Sequence, residues 1–289
     1  MINYNGTLLS SDQELFKPGN RGYLYADRLF ESIRYDRGRL LFWEDHYFRL
    51  MGGACILRMD IPIHLNMDFL KEEIQKTIEA SGLISKSARI RLSIHRVDGG
   101  FYLPKDKSFQ FLIEVFESTS KAYELNDKGL CIDVFHDHLK PKQALSNFKG
   151  CNSMISVLSS IFAEENGLDE AIILNSESFI CETTASNIFV ISEGKIFTPK
   201  LSSGCVDGVL RKQIVENAKS WGYDLQEKEM KTFELVTADE VFLTNSIKGL
   251  QWVRSYKNKE YSNKVVKELF EKFVKSLGIF LMGLDAELN

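Results

Sequence analysis

The chain has 289 residues, of which 44% are hydrophobic and 26% charged, and 36 Lys and Arg against 40 Asp and Glu give a formal net charge of −4. This composition excludes a disordered chain, and the slight acidic excess argues against a general nucleic-acid binder, which usually carries a basic surface. No apolar run approaches the roughly 20 residues that span a bilayer. The first ten residues lack the basic-then-apolar pattern of a signal peptide, so we expect a cytoplasmic protein without membrane contact.

Neither the cysteines nor the histidines form a metal-binding pattern. No C-x-x-C pair is present, so there is no disulfide framework and no zinc motif. His136 and His138 form an H-x-H pair without a third ligand nearby, and two strand side chains are the better interpretation. We therefore expect no metal. The cysteines are Cys55, Cys131, Cys151, Cys181 and Cys205.

The first half of the chain mixes strand-like and helical patterns. Asn66 is a predicted N-cap, because apolar residues recur at helical spacing after it until Gly82. The glycines at 99 and 100 suit a turn between two strands. The predicted elements are a strand at 38–43, a helix from about residue 44, a helix after Asn66, and strands at 88–95 and 109–117.

The second half continues the mixture after a polar stretch at residues 117–128, which we interpret as the domain boundary. The predicted elements there are strands at 130–135, 171–174, 179–181, 188–191, 195–198 and 241–243, and helices at 153–165, from 207 or 208 to 222, and at 265–277. Clustered antiparallel-looking strands with helices between the clusters favour an α+β class. We predict two domains, 1–120 and 121–289.

One lysine is placed where its pKa could be lowered. Lys149 lies in a loop just before the helix predicted from Ser153. The positive end of a helix disfavours the charge on a nearby lysine and lowers its pKa, and a neutral amine is what Schiff-base chemistry needs. Position alone favours a solvated surface lysine.

Two further segments supply an acid and an anion cradle. Glu182 opens a run of small hydroxyl residues between two apolar strands, where a partly buried carboxylate requires a cationic partner such as a protonated pyridine ring. Residues 203–211 lead a glycine-containing loop into a helix N-terminus, which offers backbone N–H groups to a phosphate. Nucleotide fingerprints and a G-x-S-x-G elbow are absent.

Lysine, acid and phosphate cradle match the aldehyde, ring nitrogen and phosphate of pyridoxal 5'-phosphate. With Lys149, Glu182-x4-Asn187-Ile188-Phe189 and Gly208-Val209-Leu210-Arg211 in this order, the chain resembles the class IV aminotransferase family of fold-type IV pyridoxal-phosphate enzymes over about residues 23–253. The resemblance implies a two-domain, D-amino-acid aminotransferase-like fold, an active site between the domains, and a homodimer.

The resemblance also implies roles for residues at the cofactor. Lys149 would form the Schiff base and then move the α-proton, and Glu182 would pair with the pyridine nitrogen. Arg49 matches the phosphate-binding arginine of the family, although a charge on a helix surface explains it too. The other implied cofactor contacts are Asn187, Val209, Leu210, Thr244, Asn245 and Ser246.

Residues 25–34 resemble the family opening Y-G-D-x-x-F-E-x-[IL]-R, with Ala26 in place of the glycine. Arg91 and Arg96 could hold a substrate carboxylate in a bidentate pair, while Arg91 could equally alternate outward on its strand. The implied substrate residues are Tyr25, Phe30, Arg91, Arg96 and Asn152.

The spacing after the lysine distinguishes branches of the family. Branched-chain aminotransferases carry Asn-Tyr four and five residues after it, whereas here Asn152 follows at three and Ser153 comes next. This pattern resembles D-amino-acid aminotransferases and aminodeoxychorismate lyases. We predict an aminotransferase acting between a small amino acid and a 2-oxo acid, with 4-amino-4-deoxychorismate lyase as the alternative. A non-catalytic protein on the same fold is disfavoured, because lysine, glutamate and phosphate loop occur together.

Overall fold

The computed structural model describes residues 1–36, 38–119 and 123–286, except for the side chains of residues 279–286. Internal contacts divide the chain into two units, Met1–Ala122 with Leu145–Ser153, and Tyr123–Ala144 with Met154–Asn289. The predicted boundary between residues 120 and 121 lies outside the described residues. The segment that carries Lys149, assigned above to the range 121–289, packs with the first unit.

The first unit is built on a six-stranded antiparallel sheet with the order β2-β1-β6-β5-β3-β4. Its strands are β1 Ile2–Tyr4, β2 Thr7–Leu9, β3 Arg28–Asp36, β4 Arg39–Leu40, β5 Ser87–Arg96 and β6 Phe109–Glu117, and its helices are α1 Arg21–Tyr25, α2 Trp43–Ile56 and α3 Met67–Ala80. The Asn66 side chain accepts a hydrogen bond from the Phe69 N–H at 2.9 Å, which confirms the predicted N-cap.

Alternation along the strands gives this sheet two different faces. Leu29 and Ile33 of β3 lie opposite Ile94 and Ile90 of β5, and all four are buried in one core with α2 and α3. The opposite face, which we call the open face, carries the alternate residues, including Phe30 of β3 opposite Ser93.

The second unit contains a mixed nine-stranded sheet, ordered β12-β11-β10-β13-β14-β7-β8-β9, with β15 paired to β14. Because β9 also lies against β10 and β11, the sheet curls back on itself. The strands are β7 Leu130–Lys140, β8 Glu170–Asn175, β9 Ile180–Thr183, β10 Asn187–Ser192, β11 Lys195–Pro199, β12 Asp224–Lys228, β13 Glu240–Asn245, β14 Gly249–Tyr256 and β15 Lys259–Glu260. The helices are α4 Met154–Glu165, α5 Val209–Asn217, α6 Phe233–Thr237 and α7 Lys264–Ala286.

Most predicted elements are confirmed, and several differ in extent, two of them by being shorter than predicted. The strand expected at 38–43 is only Arg39–Leu40, because Phe42 takes a left-handed backbone (φ 55°) and α2 begins at the next residue. The helix expected to reach residue 222 ends at Asn217. Within the described ranges, no helix combines the length and hydrophobicity needed to cross a membrane.

Candidate active site

The segment with Lys149 runs alongside β3 in the manner of an additional strand. The Phe30 N–H donates to the Lys149 carbonyl at 3.0 Å, and the Cys151 N–H donates to the Arg28 carbonyl at 3.1 Å. Leu29 and Gly150 form an antiparallel bridge between these two bonds. Lys149 is therefore held by backbone hydrogen bonds to strand β3, which is a more rigid support than a loop gives.

Phe148 anchors the same segment to α2. A Cβ atom at Gly53 would lie 3.2 Å from Cδ1 of Phe148 and 2.8 Å from Cδ1 of Leu29, so the missing side chain makes room for the ring. This role of Gly53 was not predicted. The pair Gly52-Gly53 inside a helical pattern was the available signal, because glycine in a helix interior costs about 1 kcal/mol and indicates close packing.

The open face brings three predicted residues together. The Lys149 Nζ atom lies 4.6 Å from the centroid of the Phe30 ring, and the guanidinium carbon of Arg91 lies 4.4 Å from the same centroid. Both cations therefore contact one aromatic ring, an arrangement that a ring's negative face favours. Arg91 is half-buried and lies 3.8 Å from a carboxylate oxygen of Glu114.

Arg96 points into a different environment. Its Nε atom donates to Asp27 Oδ2 at 2.8 Å and its Nη2 atom to the Leu57 carbonyl at 2.6 Å. Its Nη1 atom contacts the carbonyls of Arg58 and Lys107 at 3.3 and 3.4 Å. These bonds commit the guanidinium to joining chain segments rather than to a substrate.

The two other predicted substrate residues lie at the surface of the first unit. Tyr25 ends α1, with its ring centroid 5.6 Å from that of Tyr102 and the Arg21 guanidinium 5.0 Å above it. Asn152 is exposed, and its Oδ1 atom lies 2.9 Å from the position of a Cβ atom at Gly150.

Arg49 belongs to a buried charged cluster rather than to a helix surface. Its Nε and Nη2 atoms donate to the two carboxylate oxygens of Glu31 at 2.8 and 2.5 Å. His46 Nδ1 lies 2.7 Å from Glu31 Oε2. Burial by itself would raise the pKa of Glu31, but the charge of Arg49 and the hydrogen bond from His46 outweigh it and lower that pKa to about 2. Glu31 therefore keeps Arg49 in one orientation.

Glu182 is buried in the second unit and already has a cationic neighbour. Its Oε1 atom accepts from the Lys140 Nζ atom at 2.5 Å, and its Oε2 atom accepts from the Val206 N–H at 2.7 Å. Burial would lower the pKa of Lys140, but the charge of Glu182 outweighs it and raises that pKa. The need for a cationic partner was predicted, whereas Lys140, at the end of β7, was not.

The N-terminus of α5 has the features of an anion site. Gly208 is its N-cap and no side chain caps the helix, so the N–H groups of the first turn, from Val209 and Leu210 onward, lack carbonyl partners within the helix. Asn187 Nδ2 donates to the Val206 carbonyl at 2.8 Å. A Cβ atom at Gly208 would lie only 1.9 Å from Asn187 Oδ1, so this close approach requires glycine.

The end of β13 lies beside this helix terminus. Thr244 pairs with Asn187 across the β10–β13 ladder, and its buried Oγ1 atom has no hydrogen-bond partner among the described residues. The Asn245 side chain donates to the Ala185 carbonyl at 2.6 Å and accepts from the Ile247 N–H. The Ser246 carbonyl accepts from the Tyr123 hydroxyl at 2.7 Å.

These donors and the carboxylate fit the groups of pyridoxal phosphate. The N–H groups of the first turn of α5, which have no partners within the helix, and the Thr244 hydroxyl, which has no partner among the described residues, suit a phosphate, and Glu182 suits a protonated ring nitrogen. Among the described residues, no cluster of three His, Cys, Asp or Glu side chains could hold a metal ion.

Comparison with known proteins settles the family. The model of the family "Amino-transferase class IV" matches residues 28–256. The chain belongs to the class IV aminotransferase family. Its fold is that of the fold-type IV enzymes, and it is a pyridoxal-phosphate-dependent transaminase or related lyase, which confirms the predicted recognition, fold class and cofactor.

Relatives of the chain carry both names considered above. It is 28% identical over 280 residues to a putative branched-chain-amino-acid aminotransferase of Methanocaldococcus jannaschii, covering 94% of this chain and 93% of that one. It is 28% identical over 234 residues to an aminodeoxychorismate lyase of Vibrio harveyi, covering 80% and 84%. The crystal structure of the Escherichia coli branched-chain amino acid aminotransferase superposes with a TM-score of 0.84 at 25% identity, covering 95% and 93%.

Proposed function

We propose that the protein is a pyridoxal-phosphate-dependent aminotransferase that moves an amino group between a small amino acid and a 2-oxo acid. The observation that carries the proposal is the placement of Lys149 and Arg91 on the ring of Phe30. It sets an amine beside a guanidinium, so a reacting carbon at Lys149 and a carboxylate at Arg91 belong to one small substrate.

When bound, pyridoxal phosphate supplies an aldehyde that takes up the amino group and a ring that withdraws electrons from the α-carbon. Lys149 Nζ would hold the cofactor at its aldehyde, and the same amine would accept and return the proton of the substrate's α-carbon. Arg91 orients the substrate through its carboxylate, and Phe30 forms an apolar wall beside the reacting carbon.

Residues of the second unit and Arg49 bind the rest of the cofactor. Glu182 would pair with the protonated ring nitrogen, while Lys140 and the Val206 N–H hold its carboxylate in place. The N–H groups of Val209 and Leu210 bind the phosphate, and Asn187 positions the loop before them. The remaining phosphate ligands in this proposal are Arg49, Thr244, Asn245 and Ser246.

The second candidate function is 4-amino-4-deoxychorismate lyase. The likeness to the Vibrio harveyi lyase supports it, and Asn152 at three residues after Lys149 is compatible with it. Both reactions begin with removal of a proton by Lys149. In transamination a proton is added next, whereas in elimination a leaving group departs.

We further propose a homodimer in the cytoplasm. Phe101, Tyr102 and Leu103 are 84%, 90% and 80% exposed in one loop of the first unit, and such a large apolar group fits contact with a second copy. None of the five cysteines, all of them described residues, forms a disulfide, as is usual in a reducing compartment. Light scattering on a size-exclusion column at micromolar concentration tests the dimer, and a monomer there contradicts it.

The substitution Lys149→Ala tests the proposed cofactor lysine. We expect activity to fall by at least about 1,000-fold, because the proposed function assigns to Lys149 both the hold on the aldehyde and the proton transfer. Wild type incubated with pyridoxal phosphate should absorb visible light, and borohydride should fix the cofactor to Lys149 in a peptide map. Lys86→Ala, an exposed lysine paired with Glu117 in the same unit, is the control. Wild-type activity in Lys149→Ala contradicts the assignment.

One paired assay separates the two functions. A panel of amino donors with a 2-oxo acid acceptor measures transamination, and 4-amino-4-deoxychorismate without any acceptor measures elimination. If the second assay forms pyruvate and 4-aminobenzoate and the first shows no turnover, the protein is the lyase and the aminotransferase proposal is wrong.

A further inference from the structure

Lys140, the last residue of β7, holds the carboxylate that the proposed function assigns to the ring nitrogen. Its Nζ atom donates to Glu182 Oε1 at 2.5 Å, and the two side chains are only 15% and 10% exposed. The Lys140 carbonyl accepts from the Ser176 N–H at 3.0 Å, so the residue is fixed at its main chain as well. Lys140 and Glu182 thus form a mostly buried ion pair within the second unit.

The thiols beside this ion pair carry no charge at neutral pH. Cys181 precedes Glu182 on β9, and Cys205 precedes Val206, whose N–H donates to the same carboxylate. Burial raises the pKa of both thiols, that of Cys205 to about 12, and the charge of Glu182 adds to the rise. The thiols therefore leave the charge balance between the lysine and the glutamate unchanged.

The charged groups of α5 and of the loop before it compensate one another. Arg211 contacts the carboxylate of Glu227 and lies 4.0 Å from that of Asp207. On β8, the residues opposite the lysine and the glutamate in the two ladders are Asn175 and Ile173, which carry no charge. The ammonium in contact with the glutamate therefore dominates the positive charge at its carboxylate.

Glu182 can bind a second cation while it keeps Lys140. A carboxylate offers about four lone-pair sites, and the Lys140 ammonium and the Val206 N–H take one at each oxygen. A protonated ring nitrogen at a third site would lie within a few ångströms of the ammonium, because both would contact the same carboxylate. Two like charges at such a separation disfavour each other.

We propose that Lys140 weakens the hold of Glu182 on the ring-nitrogen proton, so that the ring loses this proton more readily than it would beside a lone glutamate. Lys140 is a positioning residue, because it acts on the cofactor through Glu182. Its charge cancels that of the glutamate, whereas without it the carboxylate presents a full negative charge to the nitrogen. The inference rests on the proposed function, because it needs Glu182 at the ring nitrogen.

Nitrogen-15 spectra of the holoenzyme test this inference. The protein is loaded with pyridoxal phosphate that carries nitrogen-15 in its ring, and the resonance of that atom reports the ring proton as the pH is raised. In Lys140→Gln, which keeps a donor for Glu182 but not the charge, we expect the pKa of the ring nitrogen to rise by about 1 to 2 pH units. Lys140→Met removes the donor too and should change this pKa in the same direction. Lys140→Arg keeps the charge and should stay near wild type.

The matched control is Lys142→Met, two residues further along the chain. The Lys142 ammonium pairs with Glu177 and Glu229, so this variant removes the same charge from a different ion pair and should leave the ring-nitrogen pKa unchanged. The pH profile of kcat gives a second readout. Its fall at alkaline pH should move to higher pH in Lys140→Gln, because the ring keeps its electron-withdrawing proton longer, whereas a merely structural loss lowers kcat at every pH.

An unchanged or lower ring-nitrogen pKa in Lys140→Gln overturns the inference, as does an equal rise in Lys140→Arg. Glu182→Gln is measured beside these variants to separate the two proposals. If its ring-nitrogen pKa equals that of wild type, Glu182 does not pair with the ring, and the role proposed for Glu182 fails rather than that of Lys140 alone.

Discussion

Two buried glutamates, one in each unit, show how differently the same carboxylate can be used. Glu31 of β3 has a side chain only 1% exposed, and its partners Arg49 and His46 lie one turn apart on α2. Glu182 of β9 has a side chain 10% exposed, and its partners are Lys140 and the backbone of Val206.

The difference lies in how much hydrogen-bonding capacity remains. A carboxylate offers about four lone-pair sites. Glu31 is contacted by three donor groups, one from His46 and two from Arg49. Glu182 accepts one bond at each oxygen. Glu31 therefore serves to hold another residue, whereas Glu182 retains capacity for a further ligand.

The largest expected effect is on stability, from Glu31→Gln. A neutral amide leaves the buried Arg49 without its counter-charge, so we expect a loss of about 3–5 kcal/mol in the free energy of unfolding. Urea denaturation measures it. Glu117→Gln, which breaks the exposed pair with Lys86, should cost at most about 1 kcal/mol. Equal urea midpoints for Glu31→Gln and wild type would show that the cluster carries no stability.

Acid pH should remove the same contribution gradually. The pKa of Glu31 is about 2 in the folded protein against a usual 4.5, so its stabilisation is complete above pH 4.5 and disappears as the pH falls through about 2. Between pH 6 and pH 3 wild type should lose about 2 kcal/mol relative to Glu31→Gln. Urea curves at several pH values measure the difference between the two proteins, and a constant difference contradicts the prediction.

The smallest effect on stability, but a large one on activity, is expected from Glu182→Gln. An amide cannot hold a proton on the ring nitrogen, so kcat should fall by about 100-fold. Stability should fall less than in Glu31→Gln, because the Lys140 side chain can carry its ammonium toward solvent. The control is Glu177→Gln, an exposed partner of Lys142. A pH titration of the cofactor's absorbance should shift in Glu182→Gln alone, and an unchanged titration argues against its pairing with the ring.

Features encoded in short segments were predicted well. The N-cap at Asn66, strand β6 and the helix start after Gly208 depend on neighbouring residues, so local patterns indicate them. No strand is predicted at residues 28–36, because the buried Glu31 interrupts the alternation of apolar and polar residues that indicates a strand. A charged residue in a core position hides the pattern of a strand.

The local sequence around Arg96 did not decide whether this residue contacts a substrate. Its place beside a glycine turn suggested a substrate contact, but its bonds go to Asp27 and to carbonyls as distant in sequence as Leu57. Arg91, five residues earlier, alternates to the other face and contacts Phe30. Only the register of β5 separates the two arginines.

The sequence by itself determined the composition class, the family and the order of lysine, glutamate and phosphate loop, because each depends on residue types at short spacing. The tertiary structure decided which side chains meet. Lys149 joins Phe30 and Arg91, and Lys140 meets Glu182 across 42 residues, through strand pairing that no local pattern specifies. The length of 289 residues suggested two domains, and contacts that no local pattern specifies then placed residues 145–153 with the first unit.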